Sequence, residues 1–194
     1  LKYALSFSDY VFVLNQSNRN TLLSQRIVKD TKLLWLKGGE GINLEKFTVQ
    51  SSPNNIKPVF LMIARLLYEK GYAEYVNTAL ILKDRAEFRI MGPIDLHPSA
   101  VQRETIIAGS TAGFIKYIDY SPDVATQISQ ADCIVLPPFY GEGLSRVLME
   151  GLAMGKPIIC TDIAGCRETV DDGVNGFLCQ PKDVTALVNA CEKF

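Results

Sequence analysis

Residues 133–160 read CIVLPPFYGEGLSRVLMEGLAMGKPIIC. The stretch opens on Cys133-Ile134-Val135-Leu136, a short apolar run with β-branched members, and stops at Pro137-Pro138. Proline has no N–H to give a sheet ladder, so a strand ends there. From Gly143 to Met154 the apolar residues recur at helical spacing, and Gly155 closes the helix. Pro157-Ile158-Ile159-Cys160 is a second apolar run. Strand, helix, strand is a β-α-β unit, and continuously apolar strands belong to a parallel sheet covered on both faces.

The same alternation extends in both directions. Upstream, strands are expected at 59–63, 88–91 and 114–118, with helices at 68–85, 98–108 and 123–130. Downstream lie a short helix at 167–170, a strand at Phe177-Leu178 and a last helix capped by Asp183. The fold class is therefore α/β, a Rossmann-like parallel sheet with helices on both faces. Residues 48–58 carry two prolines in a polar stretch and read as a linker or long loop. Before them, strands at 10–14 and 32–36 flank a helix through Leu22, Leu23 and Ile27, capped by Ser17 or Asn18. This short β-α-β segment is too small to bury a core alone. The chain opens on Leu1-Lys2-Tyr3-Ala4-Leu5-Ser6, which reads as the end of a helix, so a fragment of a longer protein is expected.

Composition narrows the function classes. The chain has 194 residues, 47% of them apolar and 21% charged, with a net charge of −1. That balance gives no field to attract nucleic acid or an anionic membrane, so any phosphate must be held locally. The five cysteines, none in a C-x-x-C, read as reduced thiols of a cytoplasmic protein, with Cys133 and Cys160 packed as small hydrophobes. No apolar run approaches the length of a membrane span.

On a parallel sheet, ligands sit beyond the carboxyl ends of the strands. Two acids lie at one such end. Glu142 precedes the expected helix and Glu150 lies two turns inside it, a separation of roughly 12 Å at helical rise. Between them the amides of Gly143, Leu144 and Ser145 are expected to be free at a helix tip, an anion site. Carboxylate, amide cluster, carboxylate matches the hydroxyls, diphosphate and hydroxyls of a nucleotide-diphosphate sugar. Glu142 as a helix-start acid and Glu150 as a solvent-facing residue is the bland alternative. The apolar neighbours Val147, Leu148, Leu152, Ala153 and Met154 argue against it for Glu150. A second candidate follows the strand at 59–63, where Arg65 and Lys70 suit a diphosphate leaving group, one as a fork and one as a point charge. Alone, they would read as a surface Arg65–Glu69 pair and a solvated lysine. No D-x-D occurs, so no metal site is expected. His97, the single histidine, reads as an exposed loop residue, and Gly38-Gly39-Glu40-Gly41 lacks dinucleotide spacing.

These residues resemble the retaining glycosyltransferases of family 4, which have the two-domain GT-B fold. The resemblance is carried by Arg65 to Gly71, by the E-x7-E of Glu142 to Glu150, by Gly155 to Asp162 and by Gly165 to Phe177. Asn15-Gln16-Ser17 and Gly41 to Phe47 match the way that family's amino-terminal domain ends. The resemblance implies a remnant of the acceptor-side domain at 1–48, a linker at 49–57 and a nucleotide-sugar donor domain at 58–194. It implies that Glu142 contacts donor-sugar hydroxyls and Glu150 the ribose. Arg65 and Lys70 would hold the diphosphate without metal, and the loop from Ile118 to Asp123 would border the base. It implies no cofactor beyond a UDP-sugar or similar donor substrate. The acceptor would be a glycan or lipid-linked sugar in bacterial surface polysaccharide synthesis, and the full-length protein could meet the membrane peripherally. Gly141 stands where relatives often carry Arg, and Ser145 where many carry Pro. The isolated piece is expected to transfer negligibly, because acceptor-side groups and a closed cleft are missing. A non-catalytic sugar-nucleotide-binding domain and a sugar-nucleotide epimerase of the same architecture are the alternatives.

Overall fold

A computed structural model describes residues 1–194 except Ser52. The first elements are α1 (Lys2–Ser6), β1 (Val11–Val13), α2 (Gln16–Ser24) and β2 (Leu33–Trp35). β1 and β2 pair in parallel, with Val13 opposite Trp35, and a small cluster of Val13, Val28 and Leu33 packs beneath them. The cap of α2 is Asn15, whose side chain accepts from the Asn18 amide, rather than Ser17 or Asn18. The helix stops at Ser24, short of Ile27. The linker expected over 49–57 contains Ser52, which lies outside the described residues; its described members form no helix or strand.

The rest forms one larger sheet. Its strands are β3 (Val59–Ile63), β4 (Glu87–Met91), β5 (Lys116–Ile118), β6 (Cys133–Leu136), β7 (Ile158–Thr161) and β8 (Gly176–Cys179). All six run parallel in the order β5-β4-β3-β6-β7-β8. The helices are α3 (Tyr72–Leu82), α4 (Arg103–Thr111), α5 (Val124–Ser129), α6 (Arg146–Ala153) and α7 (Val184–Cys191). The steps from β3 to β4 and from β6 to β7 run in opposite directions across the sheet, so the right-handed crossover rule assigns α3 and α6 to opposite faces; α7 packs beside α3. β6 and β7 are buried along their whole length, as continuous apolar runs require. In the core the Tyr75 hydroxyl lies 2.9 Å from the carbonyls of both Phe60 and Arg89 and shares its one proton between them, tying α3 to two neighbouring strands. All five cysteines are free and buried.

The strand order reverses between β3 and β6. The chain runs outward through β4 and β5, then returns to lay β6 beside β3. At such a switch point the loops leaving adjacent strands diverge to opposite faces and open a crevice.

Among the helices of the larger sheet, three starts differ from the sequence reading. The helix expected over 68–85 is a 3-10 turn at Tyr68–Lys70, a left-handed Gly71, then α3. The helix expected over 98–108 starts at Arg103, because Ala100 bridges Leu67 and the Val101 amide donates to Leu66 at 2.9 Å. The helix expected from Gly143 starts at Arg146.

Candidate functional site

The loop leaving β3 is tightly tied down. Leu66 and Leu67 are fully buried and anchor its start. The Leu67 amide donates to Arg65 at 2.8 Å and the Lys70 amide to Leu67 at 3.1 Å. Gly71 follows at φ 82°, and a Cβ there would lie 2.0 Å from the Pro137 carbonyl oxygen. This close approach brings Lys70 against the loop leaving β6. The Phe139 amide, donating to Glu69 at 3.1 Å, joins the two loops again.

The β6 loop carries Glu142 in a turn pinned at both ends. The Glu142 amide donates to Ala164 at 3.1 Å, and the Ser145 amide donates to Gly165 at 2.9 Å. The Ser145 amide is therefore not free, which corrects the expectation of three open amides. The amides of Gly143 and Leu144 have no partner among the described residues. The orphan amides of α6 are those of Arg146, Val147 and Leu148, the first turn behind the cap residue Ser145.

Lys70 and Glu142 form an ion pair, Nζ to Oε1, with about a fifth of each side chain exposed. Two residues predicted from different strand ends are thus brought into contact. Arg65 lies further out, 3.2 Å from Asp95, with 58% of its side chain exposed. The Asp95 carboxyl is held below its usual range, first by the His97 amide and then by Arg65. His97 itself bonds Ser99 at 2.7 Å in the same exposed loop.

Glu150 is 13% exposed at its side chain, with Arg146 one turn earlier at 3.5 Å. Burial pushes its carboxyl up; the charges of Arg146 and Lys46 work against that rise. The Lys46 ammonium also reaches the Pro122 carbonyl at 3.5 Å and draws on Asp123. Glu150 therefore faces the same neighbourhood as the loop after β5. Within that loop the Ile118 carbonyl accepts from Gly92 at 3.2 Å, and Asp123 caps α5 by accepting from Thr126 at 3.1 Å. Asp123 is thus engaged in its own helix.

Several contributing residues escape a reading of the sequence. Asn15, fully buried, donates to the Glu142 carbonyl at 3.0 Å and the Gly143 carbonyl at 2.6 Å. In the sequence Asn15 appears only in the Asn15-Gln16-Ser17 stretch that resembles the family, with the cap assigned to Ser17 or Asn18, and its distant partners leave no local signal. Asp95, Lys46 and Gly165 likewise act through contacts remote in sequence. A Cβ on Gly165, at φ 88°, would meet the Glu142 backbone at 2.6 Å. Taken together, two strand ends supply two cations, two carboxylates and a helix tip, a set suited to an anionic ligand with hydroxyls on either side.

Residues 57–194 match the family model described as Glycosyl transferases group 1. The chain is 32% identical over 200 residues to the Campylobacter jejuni N,N'-diacetylbacillosaminyl-diphospho-undecaprenol alpha-1,3-N-acetylgalactosaminyltransferase, covering 95% of this chain and 51% of that protein. It is 30% identical over 159 residues to the amylovoran biosynthesis glycosyltransferase AmsK of Erwinia amylovora, covering 76% of this chain and 38% of that protein. Among solved structures, a glycosyltransferase from Rickettsia africae superposes with a TM-score of 0.84 at 23% identity, over 99% of this chain and 55% of that one. Anabaena HepE in complex with UDP-glucose gives 0.83 at 18% identity, over 98% of this chain and 55% of that one. The chain thus spans about half the length or less of these proteins.

Proposed function

Since the chain belongs to the glycosyl transferases group 1 family, we propose that it holds a nucleotide-diphosphate sugar, foremost a UDP-sugar, across the β3 and β6 strand ends. The observation that carries this reading is the Lys70–Glu142 contact at the switch point. A cation and a sugar-binding carboxylate must be neighbours there, because the phosphate and the sugar are neighbours in the donor. Within the family we assign the chain to the retaining GT-B type of family 4. Residues 1–48 end the acceptor-side domain, 49–57 link, and 58–194 bind donor.

In this reading Glu150 takes the ribose hydroxyls and the loop from Ile118 to Asp123 borders the base. Glu142 takes sugar hydroxyls. Lys70 turns from Glu142 toward the diphosphate, Arg65 leaves Asp95 to join it, and the open amides of Gly143, Leu144 and α6 face the same charge. The bond from the anomeric carbon to the diphosphate oxygen breaks while a bond to an acceptor hydroxyl forms on the same face. The hydroxyl proton passes to the departing diphosphate. Arg65 and Lys70 neutralise that leaving group, so the chemistry needs no metal. HepE binds UDP-glucose, which supports a UDP-sugar donor; the diphospho-undecaprenol in the Campylobacter relative's name and the amylovoran biosynthesis in that of AmsK support a lipid-linked or glycan acceptor in surface polysaccharide synthesis. No helix among the described residues is long and apolar enough to cross a membrane. In this reading a lipid-linked acceptor is met peripherally at the cytoplasmic membrane face, as the diphospho-undecaprenol acceptor in the Campylobacter relative's name suggests.

Equilibrium titration with UDP and UDP-glucose tests the reading. Loss of a hydrogen bond to a charged group is worth about 1.5–3 kcal/mol. Glu150→Gln should therefore weaken UDP binding by roughly 10- to 100-fold. Unchanged UDP affinity would remove Glu150 from the site.

A further inference from the structure

We propose that Asn15 is a positioning residue for the donor site: it fixes the Glu142 turn from the amino-terminal segment. This rests on the reading of Glu142 as the sugar-binding carboxylate. Asn15 is fully buried, and every polar atom of its side chain is used. Oδ1 accepts from the Asn18 amide at 2.8 Å, which caps α2. Nδ2 donates to the carbonyls of both Glu142 and Gly143. Only an amide can do this: one acceptor toward an N–H and two donors toward two carbonyls. A serine or aspartate would serve the cap equally well, so capping alone does not call for asparagine.

The contact is supported on both sides. A Cβ on Gly143 would sit 3.2 Å from Leu14 Cδ1, and a Cβ on Gly39 would sit 2.6 Å from Leu144 Cδ2. Leu14, Asn15 and Gly39 therefore pack along the Glu142–Leu144 turn, whose flanking amides, those of Glu142 and Ser145, are bonded to Ala164 and Gly165. A turn with two unpartnered amides is otherwise free to rotate its carbonyls. Asn15 removes that freedom and leaves the Glu142 side chain aimed at Lys70.

The test uses Asn15→Ser and Asn15→Asp, both of which retain an oxygen for the α2 cap. Hydrogen exchange of the free protein is read first. The Glu142 and Ser145 amides should exchange about tenfold faster in Asn15→Ser, as two hydrogen bonds are lost, while α2 and β6 keep their protection. Unchanged exchange at Glu142 and Ser145 would overturn the proposal. So would faster exchange confined to α2, which marks a cap and nothing more. UDP-glucose and UDP are then titrated against Asn15→Asp and Glu142→Gln. Both variants should lose affinity for UDP-glucose about fivefold or more relative to UDP. If Glu142→Gln lowers that ratio and Asn15→Asp does not, Asn15 does not position the site and the donor reading stands. If Glu142→Gln leaves the ratio unchanged, the sugar role of Glu142 falls, and the role of Asn15 with it.

Discussion

Gly71 lies so close to Pro137 that a β-carbon on Gly71 would stand 2.0 Å from the Pro137 carbonyl oxygen. Backbone meets backbone there, at the junction of the two loops that carry the candidate site. Gly71→Ala adds both a left-handed residue with a side chain and an overlap that no rotamer relieves. It should cost about 2–4 kcal/mol, combining the left-handed penalty with overpacking. A urea midpoint within experimental error of the parent would contradict the packing described.

The Lys70–Glu142 pair should be energetically coupled. Lys70→Met leaves a carboxylate with 19% of its side chain exposed and no partner. That should destabilise the fold by about 1–3 kcal/mol. Glu142→Gln in the same background should recover part of the loss. A double-mutant cycle in which the two changes simply add would show that the contact does no energetic work.

Glu150 carries a pH signature. A carboxyl raised by burial binds its proton more tightly folded than unfolded. Above the raised pKa its charge weighs against the fold, and that penalty is relieved as the pH falls through it. Glu150→Gln should therefore raise the melting temperature at neutral pH, and the gain should vanish in acid. Under the proposed function the same variant should lose UDP affinity, a trade of stability for function. The wild-type affinity advantage over Glu150→Gln should begin to shrink at a pH above the usual 4.5 of glutamate. A melting temperature that does not rise at neutral pH would contradict the burial argument.

Asp132 is the control at the opposite end of the sheet. Its Oδ2 accepts from the Val59 amide and from Asn55, each at 2.8 Å, and fixes the entry to β3. Asp132→Asn should lower stability by about 1 kcal/mol and leave UDP binding alone. A loss of binding equal to that of Glu150→Gln would mean the site reads overall stability rather than local chemistry.

The fold was legible wherever the signal is local. Runs such as Cys133 to Leu136 and Ile158 to Cys160 state their strands directly, because a parallel strand covered on both faces is apolar along most of its length. Helix starts were less so. Ala100 and Val101 spend their backbone groups on Leu67 and Leu66 rather than on a helix, a choice visible only once β3 lies beside them. The site divides the same way. Arg65, Lys70 and Glu142 lie in loops at strand ends and Glu150 one turn inside the helix that follows, placements that spacing along the sequence already suggests. The engagement of the Ser145 amide by Gly165 and the reach of Asn15 and Lys46 could not, since each depends on segments joined only by the finished fold.

The most direct measurement is a crystal structure of the chain with UDP-glucose bound. The account predicts a Glu150 carboxylate oxygen about 2.6–3.0 Å from a ribose hydroxyl, and Lys70 drawn from Glu142 onto the diphosphate. Density for the nucleotide elsewhere, or beside a Lys70–Glu142 pair left as it stands, would contradict it.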